Sequence, residues 1–313
     1  MLWPPRALLI AVTASLAFAA CGSDSGNTTS PSTDTTQVTT SSSAEPTTTT
    51  TNTSTTLVAT TTTLEVEDVD ALLVVGDWGS GTLPQGAVAG AMMRYTEANE
   101  VEAILTTGDN LYSDDTEFLL HPFSWAIEAE IPFWITWGNH DVESEDRIEA
   151  MEEAFDDPPR WSGHRWGDVD VVILDSTQIG SEEQLQFLTD TLAASDRATI
   201  VAVHHPPYSC GFHDDSENVQ NTLLPRFDDD VFLVLSGHEH NYQRFQEGDI
   251  TYVVTGGGGA TLTDLDTCSG DPPERSSGES THHFMALQQG DDLTVRAYDV
   301  SGEIIEEFGL AIP

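Results

Sequence analysis

Lysine is absent from this 313-residue chain. Its positive charge rests on ten arginines, set against 53 acidic residues, for a formal net charge of −43. Such a surface repels DNA, RNA and anionic lipid, which argues against nucleic acid as a partner. It describes instead a solvated, salt-tolerant exterior. Cysteine is scarce too: only Cys21, Cys210 and Cys268 occur. Residues 22–66 nearly lack large apolar side chains and are dominated by Thr and Ser with scattered Pro. Such a segment cannot bury enough surface to offset its ordering entropy, so it reads as a disordered stalk. No internal repeat is present.

What precedes the stalk is apolar. One cation, Arg6, leads into "ALLIAVTASLAFAA" and then Cys21. The run is short for a lasting membrane span, and residues 1–21 read as an export signal. Two cleavages fit. Ala17-Phe18-Ala19 suits ordinary signal peptidase and a secreted product. "FAAC" resembles a bacterial lipoprotein box, with Phe18 where Leu is usual, and would leave a lipid anchor on Cys21. The lipoprotein reading is favoured, because a thiol beside a flexible tether has little other use. The expectation is a bacterial protein on the cell surface or outside the cell, touching membrane only through Cys21. Cys210 and Cys268 then remain as an even pair, which in an exported protein suggests one disulfide. Two free thiols are the alternative.

The folded part is expected over residues 67–313, a length that one domain can use. Short apolar runs over 71–75, 102–105, 133–136, 169–174, 198–203 and 231–235 look like buried strands. Between them, residues 85–100, 116–130, 147–155 and 182–195 have helical spacing. After residue 250 the pattern turns to strands joined by "GDD" and "SG" hairpin signals. The expected fold class is α/β.

Nearly every apolar run ends in ligand-type residues. "LLVV" leads into "GDWG", "AILTT" into "GDNLY", "FWITW" into "GNHD", "IVAV" into "HHPPYS" and "FLVLS" into "GHEH". Sites in α/β sheets collect at the carboxyl ends of strands, so these ends should share one crevice. The donors are Asp77, Asp109, Tyr112, Asn139, His204, His238 and His240. They are too many for one ion and about right for two ions bridged by a shared carboxylate. His205 follows a candidate ligand and reads as pointing away. His121, His164, His282 and His283 belong to no motif and read as structural or surface residues.

In this order the motifs resemble those of the calcineurin-like metallophosphoesterases and, within them, the small tartrate-resistant purple acid phosphatases. The resemblance covers residues 71–313. It implies a four-layer α/β/β/α sandwich with mixed sheets. Most relatives place a metal-binding histidine at the third position of Asp-x-His, where this chain has Gly79. Tyr112 is placed to supply the missing donor, as a phenolate favouring Fe(III). The resemblance puts Asp77, Tyr112 and His240 on the ferric ion and Asn139, His204 and His238 on a divalent ion of iron, zinc or manganese. Asp109 would bridge them. His140 and His213 would bind phosphate oxygens or protonate the leaving alcohol. The implied activity is metal-assisted hydrolysis of small phosphate monoesters, as an acid phosphatase. Asp141, where plant members often have Glu, and the acidic pair Asp214 and Asp215 depart from the family and bear on substrate preference. A phosphodiesterase or nucleotidase with the same two-ion core is the near alternative. A surface adhesion or metal-storage protein is the distant one, which the intact ligand set disfavours.

Overall fold

The computed structural model describes residues 69–313 apart from 214, 266–267 and 269–272. The export signal and the stalk expected over 1–66 lie outside the described residues. The chain opens with β1 (Ala71–Val75), α1 (Leu83–Thr96), β2 (Val101–Thr106), α2 (Thr116–Leu120), α3 (Ser124–Glu128), β3 (Phe133–Trp134) and α4 (Glu145–Phe155). It continues through β4 (Ser162–Trp166), β5 (Val169–Leu174), α5 (Glu182–Ala194), β6 (Thr199–Val203), α6 (Glu217–Thr222) and β7 (Val231–Ser236). Strands β8 (Tyr242–Glu247), β9 (Ile250–Thr255), β10 (Arg275–Glu279), β11 (His283–Gln289), β12 (Asp292–Asp299) and β13 (Ile304–Ala311) complete it.

Two sheets form, ordered β13-β12-β11-β1-β2-β3 and β10-β8-β9-β7-β6-β5-β4. Both are mixed. β1, β2 and β3 run parallel beside an antiparallel β11. In the second sheet, β5, β6, β7 and β9 run parallel, with β4 and β8 antiparallel at either side.

Alternation along the strands fixes the layers. Leu72 and Val74 of β1 join Val171, Ile173, Leu233 and Leu235 in the core between the sheets. Their neighbours Leu73 and Val75 turn outward, where Val88 and Met92 of α1 cover them. On the other sheet Val172, Leu174, Val201 and Val203 meet Leu188 and Leu192 of α5. The product is the expected α/β/β/α arrangement. Both faces of the central strands are buried, which is why they read as unbroken apolar runs. Helix starts are set locally. Thr82, Ser144 and Ser181 each precede a helix in extended conformation and accept from the backbone N–H three residues on.

Two expectations change in detail. The helical stretch over 116–130 is split into α2, a 3-10 turn at His121–Phe123 and α3. Pro122 sits in that turn, and proline cannot continue a helix hydrogen-bond ladder. The strand expected over 133–136 stops at Trp134, because Thr106 Oγ1 takes the Thr136 N–H at 3.1 Å where a ladder bond would otherwise form. Among the described residues, no helix is long and apolar enough to cross a membrane.

Candidate metal centre

The carboxyl ends of β1, β2, β3, β6 and β7 bring the sequence motifs to one place. Asp77, Asp109 and His238 each follow a strand with φ of 55°, 52° and 70°. Non-glycine residues in this left-handed region cost about 1–2 kcal/mol each, so the backbone there is strained. The strain turns each side chain back across the strand ends. The Asp77 carboxylate accepts the His238 N–H at 2.9 Å, joining the two sheets across the site. Asp109 Oδ1 accepts the His140 N–H at 2.9 Å. Gly138 permits that contact: a Cβ there would lie 2.2 Å from both the nitrogen and Oδ1 of Asp109.

Tyr112 stands in the middle. Its Oη lies 3.3 Å from Asp77 Oδ1, 3.2 Å from Asp109 Oδ2 and 3.1 Å from His240 Nε2. It has one hydrogen for three neighbours. Gly79 is the reason the ring can be there. A Cβ at Gly79 would fall 1.6 Å from the Asn110 carbonyl oxygen, and the Gly79 carbonyl accepts the Tyr112 N–H at 2.9 Å. The loop bearing the tyrosine occupies the space that a side chain at position 79 would need.

The remaining donors close around this pair of carboxylates. His204 Nε2 lies 3.0 Å from Asn139 Oδ1 and 3.4 Å from Asp109 Oδ1. His240 Nε2 lies 3.5 Å from Asp77 Oδ1. The Nδ1–H of His204 donates to Thr107 O at 2.9 Å, and that of His240 to Thr261 O at 2.7 Å. Backbone carbonyls accept only, so in the neutral ring each Nε2 is left with its lone pair facing the centre. Acceptors therefore point at acceptors.

The electrostatics agree. Burial raises the pKa of Asp77. Burial, with the charges of Asp77 and Asp141, lifts Asp109 well above the carboxylate range. Burial, with the charges of Asp77 and Asp109, raises Tyr112 well above the usual phenol value. Burial and neighbouring imidazoles hold His204 far below its ordinary value and push His238 down to about 2. His240 differs: burial lowers it, but the hydrogen bond and charge of Asp77 outweigh that and raise it. Two buried carboxylates, a phenol, an amide oxygen and imidazoles, of which His204 and His238 are held neutral, with no arginine among them, are a donor set that metal cations fit. Asp77, Asp109 and His204 offer ligand atoms within 4.8 Å of one another, as do His204, His205 and His238.

The two substrate candidates sit just outside. The His140 Nδ1 is 3.3 Å from Glu143 Oε2, and its ring lies 4.5 Å from that of Tyr112. The His213 ring packs 4.2 Å from His238, with Nδ1 3.2 Å from Glu239 Oε1. His205 does not point away from the site. Its ring lies 4.4 Å from His238 and its Nδ1 2.7 Å from Ser176 Oγ. Asp141 corrects a second expectation. It is fully buried and accepts from Asn110 Nδ2, the Leu111 N–H and the Gly138 N–H, so it braces the loops that carry Asp109 and Asn139. Glu239 was unmarked by sequence reasoning. Its place between His238 and His240 was the one signal for it. His164 stacks on Trp134, and His283 is buried against Thr255, as structural residues do.

With this geometry in view, comparison with known proteins is specific. The family model described as calcineurin-like phosphoesterase matches residues 56–242, more than half of the chain. Purple acid phosphatase 3 of Arabidopsis thaliana is 26% identical over 282 residues, covering 76% of each chain. A probable cyclic nucleotide phosphodiesterase of Rhodococcus erythropolis is 30% identical over 183 residues, or 50% of this chain and 60% of that protein. Among solved structures, the purple acid phosphatase PPD1 from yellow lupin seeds superposes with a TM-score of 0.65 at 18% identity, over 78% of this chain and 54% of that one. Fold, strand-end motifs and family model agree, and the chain is a hydrolase belonging to the calcineurin-like phosphoesterase family.

Proposed function

We propose that the chain hydrolyses phosphate monoesters at a binuclear metal centre, as an acid phosphatase. The observation that carries this reading is the convergence of acceptor atoms from Asp77, Asp109, Tyr112, Asn139, His204 and His240 at five strand ends. Asp77, Tyr112 and His240 are assigned to a ferric ion, which a phenolate donor favours. Asn139, His204 and His238 are assigned to a divalent ion of iron, zinc or manganese, and Asp109 to both. When bound, the ions supply Lewis acidity to the phosphoryl group and to water.

The protein's own groups handle orientation and protons. In hydrolysis the oxygen of water bonds to phosphorus, the bond from phosphorus to the ester oxygen breaks, and that oxygen takes a proton. His213 is placed to hold the proton. Glu239, fully buried, takes its Nδ1–H, which leaves Nε2 as the exchanging atom. His140 is a second candidate, with Glu143 in the same relation to its Nδ1. The purple acid phosphatase names of the Arabidopsis and lupin proteins support a monoester substrate. The name of the Rhodococcus relative favours a second reading, a phosphodiesterase on the same centre.

Residues 67–313 are assigned as the catalytic domain, behind an export signal over 1–21 and a stalk over 22–66. The protein would act at a bacterial cell surface or outside the cell, and the Cys210–Cys268 disulfide supports an oxidising compartment. Metal analysis, a visible spectrum and turnover of p-nitrophenyl phosphate against bis(p-nitrophenyl) phosphate test the assignment together. The expected result is a coloured, iron-containing protein that prefers the monoester. Deleting residues 1–65 should leave that turnover intact; a metal-replete truncation without turnover would refute the domain assignment.

A further inference from the structure

Beside the metal centre lies an open cavity of about 530 Å³. His205, His213 and His238 line it together with Phe212, Asp215 and Glu217. Three features set its chemistry. Among the described residues, no cationic side chain other than histidine lines it, in a chain that has no lysine at all, and two carboxylates do. Asp215 is fixed by the Ser209 N–H at 2.6 Å and by Gln220 Nε2 at 3.3 Å, and Glu217 stands exposed on the first turn of α6. Finally, Phe212 is 76% exposed, with its ring edge-on to His213 at 4.9 Å between centroids.

An apolar ring held in water costs free energy in proportion to its area, and a flat partner that covers it recovers that cost. The carboxylates act in the opposite sense on an anionic partner. At the few ångströms of such a cavity their repulsion is only partly screened by salt.

Resting on the monoesterase reading, we infer that this cavity receives the leaving group and selects an uncharged aromatic alcohol over a polyanionic one. The phosphoryl group is held at the metal centre, and His213, at the boundary, faces the ester oxygen. The leaving group then extends between Phe212 and the Asp215–Glu217 side. A phenol-type group gains the Phe212 face. A nucleoside diphosphate leaving from a triphosphate would bring further negative charge against two carboxylates.

The metal-loaded full chain tests this with phenyl phosphate and ATP as substrates. The expected kcat/KM is at least about tenfold higher for phenyl phosphate. Glu217→Lys should shrink that ratio about threefold or more, chiefly through ATP. Phe212→Ala should raise KM for phenyl phosphate about threefold or more, relative to glycerol phosphate. Calorimetry supplies a readout apart from turnover. Phenylphosphonate should bind tighter than methylphosphonate, and Phe212→Ala should abolish that difference. ATP turned over as well as phenyl phosphate, or a calorimetric difference that survives Phe212→Ala, overturns the inference. A protein that turns over no monoester yet keeps the phenylphosphonate preference overturns the monoesterase reading and leaves the aromatic selectivity of the cavity standing.

Discussion

At the scale of single residues, the centre depends on an exchange between Gly79 and Tyr112. The missing side chain at one position makes room for the phenol at the other, since a Cβ on residue 79 would collide with the Asn110 carbonyl. Tyr112→Phe keeps the ring and removes one oxygen, so stability should change by about 1 kcal/mol or less. If that oxygen holds a ferric ion, the visible absorption should vanish and iron affinity should fall at least about tenfold. A coloured, iron-replete Tyr112→Phe protein would overturn the ferric assignment. Gly79→Ala should damage the same two readouts by a different route, because it displaces the loop rather than the oxygen. Tyr112 was marked in the sequence through the resemblance to purple acid phosphatases, carried at this point by its offset from Asp109 and the glycine at 79. Glu239 and His205 were not. Their roles depend on which way the backbone turns after a strand end, and on partners such as His213, 26 residues away.

At the scale of elements, the central strands were legible because both their faces are covered, and so were the edges of the first sheet, β3 and β13, which carry apolar residues; the edges of the second sheet were not. β4 and β10 lie at opposite edges of their sheet and carry polar sequences, "SGHRW" and "RSSGE", with no apolar run to mark them. β8 was missed for a related reason, since only some of its residues are buried. The loop between β6 and α6 carries His213 and is fastened in three ways. Cys210 is bridged to Cys268, its N–H donates to Gln243 Oε1 at 2.8 Å, and its carbonyl accepts from Arg275 at 3.1 Å. The bridge spans 58 residues. Chain entropy alone assigns such a closure about 4 kcal/mol. Cys210→Ser should therefore lower Tm clearly, and raise KM for a monoester by loosening His213, while metal content holds. Loss of metal in that variant would show that the loop supports the centre itself and not only the substrate.

For the whole molecule, a net charge of −43 makes acid a mixed influence. Protonating surface carboxylates relieves self-repulsion, while buried histidines pull the other way. His283 is fully buried, with Nε2 3.0 Å from Thr255 Oγ1 and Nδ1 3.0 Å from Thr281 O, and burial pushes it down to about 4. Its unfolded value is near 6.5, so between those values the unfolded chain binds the proton and the folded chain does not. Stability from this residue is complete above about pH 6.5 and is lost as pH falls toward 4, on the order of 3 kcal/mol. Denaturant titrations of wild type and His283→Gln should diverge across that window, with wild type falling faster. Parallel curves would sink the claim. The span of the site along the chain has a further consequence, for timing. Asp77 meets the His238 amide 161 residues on, and Tyr112 meets His240 across 128 residues and two sheets. No short segment carries the ligand set, so it cannot be assembled while the chain is still emerging or being threaded. Metal capture is then a late event, following the docking of the sheets, and the ions that enter are those of the place where folding ends.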